Sequence, residues 1–251
     1  MANDFLHGTF SIHLTFYQND NLWKGGLCLS NLKQEKLLTM YPHFLHPNEE
    51  NYFKTLLHPK RQYSYLLGRY CAKHALAALT NLDDLTEIWI ETGFFHQPIV
   101  IHPHLRNTQV SISHSNYVGA SLAFSEAFPM GIDLEEVCVD KISIIETQVS
   151  LAEKKLCSSG NRLIGLTQLW TLKEALSKVL KCGLMVPFEI FEVEEMIEEG
   201  NITTSRFKNF KQYQAVSFLV NGTICSLVYP ENTSFIIDVL ALRKVLENIN
   251  S

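Results

Sequence analysis

Two stretches of helical periodicity, one in each half of the chain, constrain the fold most. Residues 64–79 place Leu67, Cys71, Ala75 and Ala78 on one face, with side chains small enough for another element to approach closely. Residues 167–181 set Leu172, Leu176 and Val179 toward a core, and the stretch ends on Lys178, Lys181 and then Gly183, a C-terminal stop. Strand-like runs surround both helices. Phe10, Ile12, Leu14 and Phe16 alternate with Ser11, His13 and Thr15, the pattern of a half-buried strand, and Gly25-Gly26 reads as its break. Runs at 87–91, 99–102, 109–113 and 119–124 follow the first helix, punctuated by Gly and Pro. The second half opens on the strand Met130-Gly-Ile-Asp-Leu-Glu-Glu-Val137. Beyond its helix, 213–219 and 223–229 form a hairpin about Asn221-Gly222, and 235–248 reads as a closing amphipathic helix.

This layout predicts an α+β protein with a pseudo-two-fold duplication. Each of the two similar halves is expected to be a long helix packed on a small, mainly antiparallel sheet, with the boundary near Phe128-Pro129 (1–128 and 129–251). The echo of Lys73-His-Ala-Leu-Ala in Lys173-Glu-Ala-Leu-Ser accords with duplication but is too short to carry it.

The composition, 46% hydrophobic and 19% charged over 251 residues, suffices for one large core or two smaller ones. Six single cysteines (28, 71, 138, 157, 182 and 225) offer neither a C-x-x-C pair nor a disulfide framework, which points to a reducing, cytoplasmic setting. No export signal and no membrane span is expected, because the N-terminal stretch lacks basic and apolar signal regions and no long apolar run occurs. A net charge of −5 speaks against nucleic acid as the main partner. Locally, 51–82 contains no acid while Lys54, Lys60, Arg61, Arg69 and Lys73 are basic, a block suited to a polyanionic ligand. The acid-rich run 189–199 reads as a solvated face.

On a strand, residues two apart share a face, so Asp133 and Glu135 present two carboxylates together, and such a pair is best relieved by a cation. Trp170, Glu174 and Lys178, four apart, form one helical stripe. Asp133, Glu135 and Glu174 would make an all-oxygen donor set of the kind Mg2+ takes alongside phosphate oxygens and water. Spacing alone leaves open a wet strand edge and a surface Glu-Lys pair. Val110-Ser-Ile-Ser-His-Ser115 brings Ser113 and His114 to a strand end before small residues, where hydroxyl, imidazole and backbone N–H groups suit a phosphate oxygen. A hydrogen-bonded structural histidine is the commoner outcome there. Without a G-x-S-x-G elbow, a hydrolase is set aside. His43, His46, His58, His102 and His104, near prolines, read as loop residues.

Taken in order, GRYCAKHAL, SISHS, GIDLEEV and WTLKEALSKVL resemble the 4'-phosphopantetheinyl transferase superfamily, and the length and two-half layout are similar to its surfactin-type (Sfp-like) monomeric branch. G-I-D-x-E at Gly131–Glu135 and W-[ST]-x-K-E-[AS]-x-x-K at Trp170–Lys178 carry most of the likeness. The resemblance implies transfer of the phosphopantetheine arm of coenzyme A to a carrier-protein serine, with release of 3',5'-ADP and with coenzyme A in the cleft between the halves. It implies Mg2+ on Asp133, Glu135 and Glu174, Glu174 as base, Lys178 neutralising phosphate charge, and Lys173 as helper. Ser113 and His114 would contact phosphates, and Arg61 and Arg69 the nucleotide end. One departure is Gly93-Phe-Phe-His-Gln-Pro98, where Gln97 stands in place of the basic residue many relatives carry before the proline. Fatty-acid, polyketide and nonribosomal-peptide carriers all remain open, with a tilt to secondary metabolism. Rival expectations are another Mg2+-dependent phosphoryl or nucleotidyl transferase and a noncatalytic coenzyme A- or carrier-binding relative.

Overall fold

The computed structural model describes residues 8–157 and 160–234, which fall into two compact units, one of the residues up to Phe128 together with Ser234 and the other running from Pro129 to Thr233. The helix expected over 235–248 lies outside the described residues.

In the first unit, β1 (Thr9–Gln18) and β2 (Asn21–Ser30) form a hairpin. Its turn residues Asn19 and Asp20 have φ of 46° and 64°, matching the twist a two-residue hairpin loop requires. The helices α1 (Gln34–Met40), α2 (Pro47–Thr55) and α3 (Pro59–Thr80) follow. The ribbon of β3 (Trp89–Thr92) and β4 (Pro98–Ile101) comes next, then β5 (Thr108–Ser115) and β6 (Val118–Ser125). The long strands run β1-β2-β6-β5, all antiparallel. Proline opens α3, where the missing N–H costs nothing, and Asn81 in the left-handed region closes it. Leu66, Leu67, Tyr70, Cys71, Ala75 and Leu76 on α3 are buried in this unit's core.

Gly25 and Gly26 do not break the strand. They lie inside β2, and a Cβ on Gly26 would sit 1.9 Å from the Ala75 carbonyl oxygen. The glycine permits α3 to lie directly on the sheet, which a reading of local propensity alone takes for a turn.

The second unit runs β7 (Gly131–Glu136), α4 (Ile142–Thr147), α5 (Leu151–Leu156), α6 (Arg162–Val179), β8 (Val193–Glu199), β9 (Ile202–Phe207), β10 (Tyr213–Val220) and β11 (Thr223–Pro230). Its antiparallel sheet has the order β7-β11-β10-β9-β8. The side chain of Asn161 caps α6 by accepting from the N–H groups of Leu163 and Ile164. Leu166, Leu169, Leu172, Ala175 and Leu176 on α6 are buried in the unit's core. The expected β10–β11 hairpin forms, with φ of 48° at Asn221 and 75° at Gly222. The acid-rich run contributes β8, an edge strand whose glutamates face solvent and deter further strand pairing. The chain is thus α+β, each unit packing one long helix on an antiparallel sheet.

Both units repeat one packing device and one polar device. As Gly26 meets Ala75, so a Cβ on Gly131 would lie 2.2 Å from the Ala175 carbonyl oxygen. In the first unit Glu49, at the third position of α2, accepts the His46 and Ile90 N–H groups and pairs with Lys73 of α3. In the second unit Glu153, at the third position of α5, accepts the Ser150 and Val193 N–H groups and pairs with Lys173 of α6.

Candidate functional site

The Gly131–Ala175 contact sets the geometry of the site in the second unit. Asp133 and Glu135 follow Gly131 on the same face of β7, and Glu174 and Lys178 flank Ala175 on α6, so carboxylates and lysine converge without a long reach. Lys178 Nζ donates to Asp133 Oδ1 at 2.7 Å and to the Ile132 carbonyl at 3.0 Å. Asp133 is buried, while Glu135 and Glu174 are half-buried. Glu135 Oε2 holds Lys141 at 2.7 Å. Trp170, one turn before Glu174, stacks on Phe188 at 4.9 Å.

Burial pushes the Glu174 carboxyl up to about 7. The Asp133 charge adds to that rise, Lys178 opposes it, and Glu135 contributes a smaller upward push. A carboxyl so placed is half-ionised near neutral pH and suited to taking up a proton. The three carboxylates thus share one electrostatic environment. Their donor set is all oxygen, as Mg2+ prefers, and a dication would relieve the mutual repulsion. The set is not preassembled: among the described residues no three His, Cys, Asp or Glu side chains converge as metal ligands. Asp133 and Glu135 are each held by a lysine instead.

Lys173 is fully buried, its Nζ donating to Glu153 Oε2 and the Gln148 carbonyl, both at 2.8 Å. Its partners differ from those of the neighbouring Glu174 because successive helical residues point about 100° apart. Arg69, in the first unit, lies over the Tyr65 ring at 4.8 Å with Nε 3.2 Å from Glu49 Oε1. With Lys54 on Glu50 and Lys73 on Glu49, much of the acid-free block is neutralised from α2, leaving Lys60 and Arg61 exposed at the start of α3. Ser113 and His114 lie near the end of β5, Ser113 buried and His114 exposed, as alternation along a strand requires. Gln97 makes its own turn: its side-chain oxygen accepts the Phe95 N–H at 2.9 Å, and a Cβ on Gly93 would strike its amide.

The residues that sequence reasoning missed are Glu49 and Glu153. For Glu153 the signal was present, since Ser150-Leu-Ala-Glu153 is a capping-box pattern. A depression of about 370 Å³ elsewhere in this unit, lined by Glu194, Glu195, Arg206, Lys211, Tyr213 and Glu231, is closed electrostatically by ion pairs among those side chains.

Residues 129–228, nearly the whole second unit, match the family model of the 4'-phosphopantetheinyl transferase superfamily. Among solved structures, a holo-(acyl-carrier-protein) synthase from Bacillus anthracis str. Ames in complex with CoA (3',5'-ADP) is similar over 44% of this chain and 96% of its own, with 19% identity and a TM-score of 0.36. A holo-ACP-synthase from Plasmodium yoelii is similar over 47% of this chain and 96% of its own, with 16% identity and a TM-score of 0.34. A comparison with curated protein sequences gave no match.

Proposed function

We propose that this protein transfers the 4'-phosphopantetheine arm of coenzyme A to a serine hydroxyl of an apo carrier protein, releasing 3',5'-ADP, as a monomeric enzyme of the surfactin-type (Sfp-like) branch. The observation that carries this reading is the convergence of Asp133, Glu174 and Lys178 within the segment that the family model matches. In the step, the serine Oγ forms a bond to the β-phosphorus of coenzyme A while the bond from that phosphorus to the bridging pyrophosphate oxygen breaks. The serine proton passes to Glu174, directly or through a water, a general-base role typically worth on the order of 10²- to 10⁴-fold in rate. Lys178, oriented by Asp133 and the Ile132 carbonyl, neutralises charge on the phosphoryl group and leaving group. Mg2+ on Asp133, Glu135 and Glu174 would supply charge neutralisation on the pyrophosphate.

Ser113 and His114 are proposed phosphate contacts, and Arg61, exposed, is the better remaining candidate for the nucleotide end, because Arg69 is committed to Glu49 and Tyr65. Carriers of secondary metabolism and a cytoplasmic setting are part of the proposal. Mass spectrometry of an apo-carrier panel incubated with the protein, coenzyme A and Mg2+ is expected to show one phosphopantetheine added. No mass shift on any carrier refutes the reading. Product analysis separates it from another phosphoryl or nucleotidyl transfer, since only the proposed reaction yields 3',5'-ADP.

A further inference from the structure

The proposed chemistry leaves the most completely buried charged pair of the second unit without a role. Glu153 and Lys173 both have no exposed side-chain surface. Glu153 Oε2 accepts the Ser150 N–H and Lys173 Nζ, each at 2.8 Å, and its Oε1 accepts the Val193 N–H at 2.9 Å. Lys173 also donates to the Gln148 carbonyl. One carboxylate therefore joins the start of α5, the start of β8 and the middle of α6, and the lysine ties α6 to the link between α4 and α5.

Lys173 immediately precedes Glu174 and lies five residues before Lys178. Apolar packing alone tolerates small rotations of a helix about its axis, whereas a desolvated, hydrogen-bonded ion pair satisfies its members in one geometry only. A fixed Lys173 fixes the rotation of α6, and with it the approach of Glu174 and Lys178 to β7. We propose that Glu153 is a positioning residue: acting through Lys173, it holds α6 in the rotation that sets Glu174 and Lys178 against Asp133. The inference rests on the proposed transfer activity.

The first unit supplies a matched control. Glu49 and Lys73 make the same lock, with the same assignment of cap N–H, strand N–H and lysine to the two carboxylate oxygens, apart from the added Arg69 contact. That unit has Cys28, Ser30, His74 and Ala78 where the second has Asp133, Glu135, Glu174 and Lys178, so its lock has no acidic site to align.

The test compares two double variants, Glu153→Gln with Lys173→Met and Glu49→Gln with Lys73→Met. Each removes both charges of its pair together; in the first unit Arg69 also loses its Glu49 contact and keeps the Tyr65 ring. Transfer to an apo carrier is measured with rates corrected for the folded fraction from near-ultraviolet circular dichroism. The second-unit variant is expected to lose about 10²-fold in kcat, the scale of a misplaced reacting group. Its KM for coenzyme A should stay within about threefold, and the first-unit variant should keep kcat within about threefold of wild type. Equal kcat for the two variants overturns the positioning role and leaves the transfer reading intact. A wild-type protein inactive on every carrier overturns both. Should the second-unit double variant fail to fold, Glu153→Asp carries the same test: kcat falling further than the folded fraction supports the proposal, and kcat falling in proportion to it overturns the proposal.

Discussion

The two units solve the same packing problem and differ in what they place at its centre. Each lays a long helix on a glycine in a strand, at Gly26–Ala75 and Gly131–Ala175, and each pins that helix with a buried Glu–Lys pair. Counting outward from those contacts, Cys28 and Ser30 stand where the second unit has Asp133 and Glu135, and His74 and Ala78 where it has Glu174 and Lys178. In the first unit the Ser30 hydroxyl is 2.9 Å from that of Thr9, and Cys28 is fully buried beside Cys71, its thiol pushed up by burial and that neighbour. The fold therefore depends on the glycine and the lock, and four side chains decide whether the frame holds a charged site. His74 and Glu174 report the same environment with opposite signs: burial lowers the imidazole to about 4 and raises the carboxyl to about 7, because desolvation disfavours the charged form of either.

The sharpest break in this comparison is Glu174→Gln against His74→Gln. We expect the first to lower transfer by on the order of 10²- to 10⁴-fold with the near-ultraviolet spectrum retained, and the second to stay within a few-fold. An active Glu174→Gln enzyme removes the base from the mechanism. Within β7, Asp133→Ala strips Lys178 of its carboxylate partner, whereas Glu136, exposed at the strand end, has no proposed role. A loss of about 10²-fold or more is expected for Asp133→Ala and less than about threefold for Glu136→Ala, and comparable losses in steady-state rates would dissolve the distinction.

The glycine contacts are expected to respond alike. Gly26→Ala and Gly131→Ala each force a methyl against a helix carbonyl, at a cost of about 1 to 3 kcal/mol and several degrees in Tm. Calorimetry finding either change neutral contradicts the close approach. Only Gly131→Ala should also lower kcat of the folded fraction.

The smallest effect is in pH dependence of stability without metal. For His74 the unfolded chain holds a proton between about 4 and 6.5 that the folded chain lacks, so this group's stability contribution is present above 6.5 and lost as pH falls toward 4. For Glu174 the folded chain holds the proton between 4.5 and about 7, so its contribution is present below 4.5 and lost as pH rises toward 7. Between pH 4.5 and 6.5 the two contributions oppose each other, so in Tm scans His74→Gln should turn the profile toward falling stability with rising pH and Glu174→Gln should turn it toward rising stability. Parallel profiles for both variants and wild type would show that neither group is desolvated as described.

Much of this was legible in the sequence. The periodicities of 2 and 3.6 place β1, β5, β6, the β10–β11 hairpin, α3 and α6. They also put Asp133 with Glu135 on one strand face and Glu174 with Lys178 on one helical stripe. Two strands escape local reading for one cause: β2 carries Gly25-Gly26, and β8, in a run that faces solvent as expected, carries glutamates, so both depart from strand propensity for reasons lying in what packs against them or faces solvent. The sequence by itself determined element types, the α+β class and the residue types able to do acid, base and phosphate chemistry, because these follow from spacing along one element. Only the tertiary structure decided which charges meet. Arg69 and Lys73 turn to Glu49, and Lys173 to Glu153, because a desolvated cation takes the nearest buried carboxylate, and that partner lies about twenty residues away on another helix where no local period reports it.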